Sequence, residues 1–88
     1  MRKRTRIEIV AELLRLCGQP RSKTRLMYGA NLSWNQTSRY LNNMLSLGLL
    51  EVHHSPTKYA ITQKGANLLD RWRMFAEILV VQRIIRHV

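Results

Sequence analysis

The sequence predicts a small, mainly α-helical domain completed by a β-hairpin, and three observations carry that reading. Apolar residues recur at three- and four-residue spacing through the first half of the chain, which is the helical period. The pattern then turns to short strand-like stretches on either side of Ser55-Pro56-Thr57, as in two strands joined by a turn. The last quarter returns to the helical period and keeps it to the end. A chain of 88 residues accommodates one domain, and a hydrophobic fraction of 45% is that of a folded chain rather than a basic disordered tail.

Each element follows from local chemistry. Ile7, Val10, Leu13, Leu14 and Cys17 predict an amphipathic first helix over residues 6–17, ended by Gly18 in a left-handed cap and kept from resuming by Pro20. Cys17 lies among leucines and reads as a small core residue. Ser22 is placed to N-cap a second helix through residue 28, with Leu26 and Met27 buried, and Gly29-Ala30-Asn31 reads as a tight turn. Ser33 is placed to N-cap a third helix through residue 47, and Gly48 ends it. Residues 49–54 and 58–62 form the hairpin, with Tyr59 and Ile61 on one face. Thr62 caps a final helix over residues 63–86, whose length of about 36 Å exceeds what so small a core needs. Two short helices with a tight turn, followed by a hairpin, make a winged helix-turn-helix. The expected organisation is a basic arm at 1–5, the winged helix-turn-helix domain at 6–66, and a C-terminal dimerisation helix at 67–88.

Charge narrows the partner. Lys and Arg number 15 against 5 Asp and Glu, a formal charge of +10, which points to a polyanion. The apolar run Ile78-Leu79-Val80-Val81 is far short of the roughly 20 residues a membrane span needs. The basic start leads into Glu8 and Glu12, unlike a signal peptide, so a cytoplasmic, nucleoid-associated protein is expected. One cysteine excludes an intrachain disulfide, and no zinc-type Cys/His cluster is present. Adjacent His53 and His54 alternate faces in a strand and do not form a metal pair. No nucleophile–base pair, phosphate-binding glycine loop or metal set is visible, so neither an enzyme nor a cofactor is expected.

The third helix carries the functional reading. Trp34, Thr37, Leu41, Met44 and Leu45 share one face, with Tyr40 and Leu47 at its border. The opposite face holds Asn35, Gln36, Ser38, Arg39, Asn42, Asn43 and Ser46, and no residue from Leu26 through Leu50 is acidic. Amides, hydroxyls and an arginine can hydrogen-bond base edges or phosphates without repelling the backbone. The N-terminal part of such a helix enters the major groove, which makes Asn35, Gln36, Ser38 and Arg39 the candidate base contacts. Trp34 either packs beneath the helix start or lies against sugar and phosphate. Backbone contacts are expected from Arg2, Lys3, Arg4 and Arg6 of the arm, from Lys23, Thr24 and Arg25 of the second helix, from Ser33 and Asn42, and from Thr57 and Lys58 at the wing tip.

The stretch Lys23-Thr24-Arg25-Leu26-Met27-Tyr28-Gly29-Ala30-Asn31-Leu32-Ser33-Trp34, with Tyr40-Leu41, Leu47-Gly48-Leu49-Leu50 and Thr62-Gln63-Lys64-Gly65, resembles a family of small archaeal winged-helix DNA-binding proteins. The likeness spans about residues 5 to 70 and includes Arg6-Ile7-Glu8-Ile9. That family holds predicted transcription regulators and 10 kDa chromatin-type proteins, some of which dimerise through a long C-terminal helix. Where such members often carry a lysine pair, this chain has Thr37-Ser38-Arg39.

In the last helix, Leu68, Leu69 and Trp72 are expected to cover the core. Met74, Ile78, Val81, Ile85 and Val88 follow a coiled-coil spacing widened by Phe75, Leu79 and Ile84, which predicts a homodimer of parallel or antiparallel helices. The functional expectation is a dimeric regulator on double-stranded DNA. The alternatives are an architectural protein of low sequence choice and a winged-helix adaptor for an acidic protein.

Overall fold

A computed structural model describes the backbone of residues 4–86 and the side chains of residues 4–80. The elements run α1 (Arg6–Leu16), α2 (Lys23–Gly29), α3 (Trp34–Ser46), β1 (Leu50–His53), β2 (Lys58–Ile61) and α4 (Gln63–Arg86). This is the predicted winged helix-turn-helix with a long C-terminal helix. Arg2, Lys3 and Val88 lie outside the described residues, as do the side chains of Val81, Ile84 and Ile85.

α1 opens on a capping box in which the Glu8 amide donates to Thr5 Oγ1 at 3.2 Å and the Thr5 amide to Glu8 Oε1 at 3.2 Å. It buries Ala11, Leu13 and Leu14, while Ile7 is 52% exposed. Ile7 shares the face of Leu14 but stands two turns nearer the helix start, past the edge of the core. Gly18 does not adopt the expected left-handed cap. The positive-φ residues among those described are Asn31, Gly48 and Ser55, and α1 instead ends in a right-handed turn with the Gly18 amide on the Arg15 carbonyl at 3.2 Å.

The segment after α1 has a second function in the fold. Arg21 exchanges two backbone hydrogen bonds with Tyr59, 3.0 and 2.8 Å long, and the Ile61 amide donates to the Cys17 carbonyl at 2.8 Å. One residue thus serves as a third strand along β2, covering a sheet edge that two strands would leave bare. Ser22 caps α2 through the Arg25 amide at 3.2 Å. The turn into α3 is made by Asn31 at φ +55°, a conformation its short polar side chain tolerates, while Gly29 remains inside α2.

α3 begins with a second capping box, between Ser33 and Gln36, and buries Thr37, Leu41 and Met44. The fully buried Thr37 hydroxyl donates to the Ser33 carbonyl at 2.8 Å, so this polar group is satisfied inside the core. At the other end Gly48, at φ +75°, completes a Schellman turn. Its amide donates to the Leu45 carbonyl and the Leu49 amide to the Met44 carbonyl at 2.9 Å. β1 and β2 then pair antiparallel with Leu50 opposite Ile61 and Val52 opposite Tyr59, and Tyr59 and Ile61 pack on the core as expected.

Thr62 caps α4 by accepting from the Gly65 amide at 3.1 Å, and its hydroxyl donates to the Gly48 carbonyl at 2.6 Å. Leu69 is buried and Trp72 packs against the core, but Leu68 is 40% exposed, because it turns away from α1 beside the Leu49 cleft. Beyond Trp72 the helix carries Met74, Phe75, Ile78, Leu79 and Val80 at half exposure or more.

Gly65 tests this packing. A Cβ there would lie 2.2 Å from the Leu49 carbonyl oxygen and 2.9 Å from Ile61 Cγ1. Helix propensity alone favours Ala over Gly by about 1 kcal/mol. Gly65→Ala is nonetheless expected to destabilise by at least about 2 kcal/mol, lowering Tm by roughly 8 °C or more in thermal unfolding. An unchanged or raised Tm would refute the close approach of α4 to Leu49.

Candidate nucleic-acid interface

The exposed face of α3 presents Asn35, Gln36, Arg39, Asn42, Asn43 and Ser46, opposite buried Thr37, Leu41 and Met44. The structure divides the candidate residues on this helix by what their side chains already do. Asn35, Arg39 and Asn42 have no side-chain partner among the described residues. Gln36 has its carbonyl oxygen engaged by the Ser33 amide at 3.0 Å, which leaves its NH2 group, and the Ser33 hydroxyl accepts from the Gln36 amide at 3.1 Å. Ser38 is half-buried; its hydroxyl donates to the Trp34 carbonyl at 3.0 Å and accepts a short hydrogen bond from Lys23 Nζ.

That hydrogen bond belongs to a small cation site. Lys23 Nζ sits 3.8 Å from the centroid of the Trp34 ring, so the first residue of α2 is held against the start of α3 by an indole face and a hydroxyl. Trp34 therefore does not belong to the core face on which its spacing placed it. It is 52% exposed and lies beneath an ammonium, because the side chain that reaches it from α2 is Lys23 rather than an apolar partner. Spacing alone could not show this, since α2 and α3 meet only in the folded chain. Thr24 and Arg25 are exposed on the same α2 start.

On the other flank of α3, Gln36, Tyr40 and Asn43 share the i, i+4, i+7 stripe and line an open cleft of about 260 Å³ with Arg39 and with Arg6 from the first turn of α1. The Arg4 guanidinium donates to the Asn31 carbonyl at 3.3 Å, which ties the root of the basic arm to the turn between α2 and α3. Thr57 and Lys58 are exposed at the hairpin tip, where His53 Nε2 lies 3.5 Å from Glu51 Oε1. Tyr40 and Asn43 were not among the candidate contacts. Their spacing from Gln36 is visible in the sequence, but the approach of Arg6 is tertiary.

Acidic groups of α1 are directed elsewhere. Glu8 and Glu12 line a cleft toward α4 with Arg15, Trp72 and Arg73. Glu12 meets Arg15 at 2.5 Å, and that hydrogen bond holds the Glu12 carboxyl below the usual range. Cys17 is fully buried, and desolvation pushes its thiol up to about 12, so it offers no thiolate near neutral pH. No helix among the described residues is long and apolar enough to cross a membrane.

Comparison with known proteins agrees with this geometry. The model of the winged helix-turn-helix family matches residues 3–79. The chain belongs to that family. This winged helix-turn-helix protein is 31% identical over 78 residues to the uncharacterized protein MJ0287 of Methanocaldococcus jannaschii, covering 88% of this chain and 78% of that one. Its fold is similar to the crystal structure of Sso10a-2, a DNA-binding protein from Sulfolobus solfataricus. The TM-score is 0.73 at 27% identity, over 91% of this chain and 90% of the other. The resemblance to small archaeal winged-helix proteins read from the Lys23–Trp34 motif is thereby supported by fold as well as sequence.

The Lys23–Trp34 contact in this winged helix-turn-helix should be measurable without any ligand. A double-mutant cycle of Lys23→Ala and Trp34→Ala in urea unfolding is expected to give a coupling of about 0.5–1 kcal/mol. Coupling within error of zero would mean that the ammonium is not held on the indole.

Proposed function

We propose that the protein binds double-stranded DNA as a homodimer, with α3 of each protomer in a major groove, and acts as a transcriptional regulator in the cytoplasm, associated with the nucleoid. The observation that carries this reading is the α3 surface. A face of amides, hydroxyls and Arg39 is bordered by Lys23 on one flank and Arg6 on the other, and no carboxylate occurs from Leu26 through Leu50. The family and the likeness to Sso10a-2, which is a DNA-binding protein, support it. In this reading Asn35 and Arg39 address base edges, with Gln36 contributing through its free NH2 and Ser38 only secondarily. Arg2, Lys3, Arg4, Arg6, Lys23, Thr24, Arg25, Ser33, Asn42, Thr57 and Lys58 address the backbone, Ser33 through what its capping role leaves. The chemistry is non-covalent, and no enzymatic activity is assigned.

A second reading has an observation of its own. Gln36 and Ser38 are partly committed to holding the helix start and Lys23, which leaves few unengaged base readers per protomer and favours an architectural protein that coats DNA. The two readings differ in specificity ratio rather than in binding. Competition of a duplex selected from random sequence against random duplex, at fixed salt, separates them; a ratio near one rejects the regulator. If a selected sequence is found, Arg39→Ala should lower that ratio by about 10-fold or more, whereas Lys58→Ala should weaken selected and random duplexes alike. Equal losses on both duplexes from Arg39→Ala would remove it from base reading.

Dimerisation is inferred from Met74, Phe75, Ile78 and Leu79, four large apolar side chains each at least half exposed on one protomer. Covering such surface stabilises by about 25 cal/mol per Å². Residues 81–88 continue the same heptad spacing, with Val81, Ile84 and Ile85 as further candidates. Sedimentation at micromolar concentration is expected to show a dimer that Ile78→Asp converts to monomer. A wild-type monomer there would exclude α4 as the dimer contact.

A further inference from the structure

The two cationic flanks of α3 differ in a way that identifies a second site. Lys23 is paired, with Trp34 and Ser38 holding it. Arg6 and Arg39 are not: two guanidiniums from different elements line one cleft, and neither has a hydrogen-bond or ion-pair partner among the described residues. The remaining lining is Gln36, Tyr40 and Asn43, which bring an amide NH2, a phenol and a second amide, and no carboxylate lines it. The Tyr40 hydroxyl and the Asn43 side-chain amide are likewise without partners among the described residues. Two cations facing one cleft repel each other unless an anion lies between them.

Arg6 also stands where a cation does the helix no service. In the first turn of α1 a positive charge opposes the helix dipole, and Glu8 already supplies the favourable acid there. The carboxylates of α1 lie on its other side, in the cleft with Trp72 and Arg73.

Helical geometry locates the cleft relative to a groove. At the usual 3.6 residues per turn, Trp34 and Ser38 fall on one side of the α3 face and Gln36, Tyr40 and Asn43 on the other, with Asn35 and Arg39 between. A helix with side chains is about 10–12 Å across and the major groove about 12 Å wide, so the two flanks of an inserted helix meet the two opposite phosphate backbones. We propose that the Arg6–Tyr40–Asn43 cleft is a phosphate site, taking a phosphodiester of the strand across the groove from the one met by Lys23. Arg39 stands at its rim, adding charge while its guanidinium is directed at base edges. The inference rests on the DNA-binding reading above, and the site chemistry, a phosphate oxygen accepting from guanidinium, phenol and amide, is the same for a free phosphate.

The test is the salt dependence of binding to random-sequence duplex for the full-length wild type, Arg6→Ala, Lys23→Ala and the double variant. Nuclear magnetic resonance with inorganic phosphate as the probe runs beside it. Each arginine or lysine engaged on a phosphate should contribute about 0.9 to the slope of log affinity against log salt. Arg6→Ala is expected to lower the slope by that amount without lowering Tm, Arg6→Lys to restore it, and the Arg6→Ala and Lys23→Ala losses to add. An unchanged slope in Arg6→Ala, or an Arg6→Ala effect that vanishes in the Lys23→Ala background, overturns the second-strand site and leaves DNA binding standing. If wild type binds no duplex but inorganic phosphate shifts the Tyr40 and Asn43 amides, and not in Arg6→Ala, the DNA reading fails and the cleft is a site for free phosphate. If neither duplex nor phosphate binds, both fall.

Discussion

Where α4 begins, its backbone lies directly on the end of α3, and the arrangement of the whole molecule depends on that contact. The Thr62 amide donates to the Leu49 carbonyl at 3.1 Å, the Thr62 hydroxyl to the Gly48 carbonyl, and Lys64 Nζ to the Leu47 carbonyl at 2.7 Å. Gly65 sits above Leu49 with no room for a Cβ. The Schellman turn satisfies the last carbonyls of α3 itself, and the next three, of Leu47, Gly48 and Leu49, are taken up by the start of α4. Because the hairpin leaves α3 at Leu50 and returns at Ile61, this contact closes the wing into a loop whose ends are pinned to one point. The same point sets the direction in which α4 leaves the body.

A second consequence concerns the electrostatic layout. Five acidic residues serve 15 basic ones, so the position of each carboxylate matters. Glu8 and Glu12 are spent on the α1 cap and on Arg15, on the side toward α4, and Glu51 lies beside His53 on the wing. No carboxylate lines the cleft of Arg6 and Arg39 beside α3, and none occurs from Leu26 through Leu50. The positive charge is therefore concentrated less by an excess of arginine near α3 than by where the carboxylates are absent. Arg39 is the sole formal charge on that helix.

The core supports this surface by ordinary means. Leu13, Leu14, Leu26, Leu41 and Met44 are essentially fully buried, each stabilising the fold by about 1.5–3 kcal/mol through burial. They hold α1, α2 and α3 in contact, and through that contact they set where Lys23 and Arg6 emerge beside α3. Cys17 fills the same core as an inert thiol. Past Trp72 the core ends and α4 continues, leaving Met74, Phe75, Ile78, Leu79 and Val80 each at least half exposed.

Much of this was legible in the sequence. Element order, the caps Ser22, Ser33 and Thr62, the Gly48 stop and the core face of α3 all follow from interactions within four or five residues, where side-chain type and period decide the outcome. The errors were tertiary. Ile7 and Leu68 have the right period, but burial needs a neighbour opposite, and the core does not reach them. Trp34 has apolar spacing, yet the chain that meets it presents Lys23. Gly18 has the sequence context of a left-handed cap, but α1 ends in a right-handed turn with the Gly18 amide on the Arg15 carbonyl, and the chain then runs into the bridge between Arg21 and Tyr59. The candidate contacts on α3 could be named from composition; which of them were already engaged could not, since Ser38 is held by a residue fifteen positions away. Local chemistry determined the elements and the character of the α3 face. Only the packing of α1, α2 and α4 around α3 decided which polar groups remain unengaged, because partners distant in sequence compete for the same hydrogen bonds only once the chain has folded.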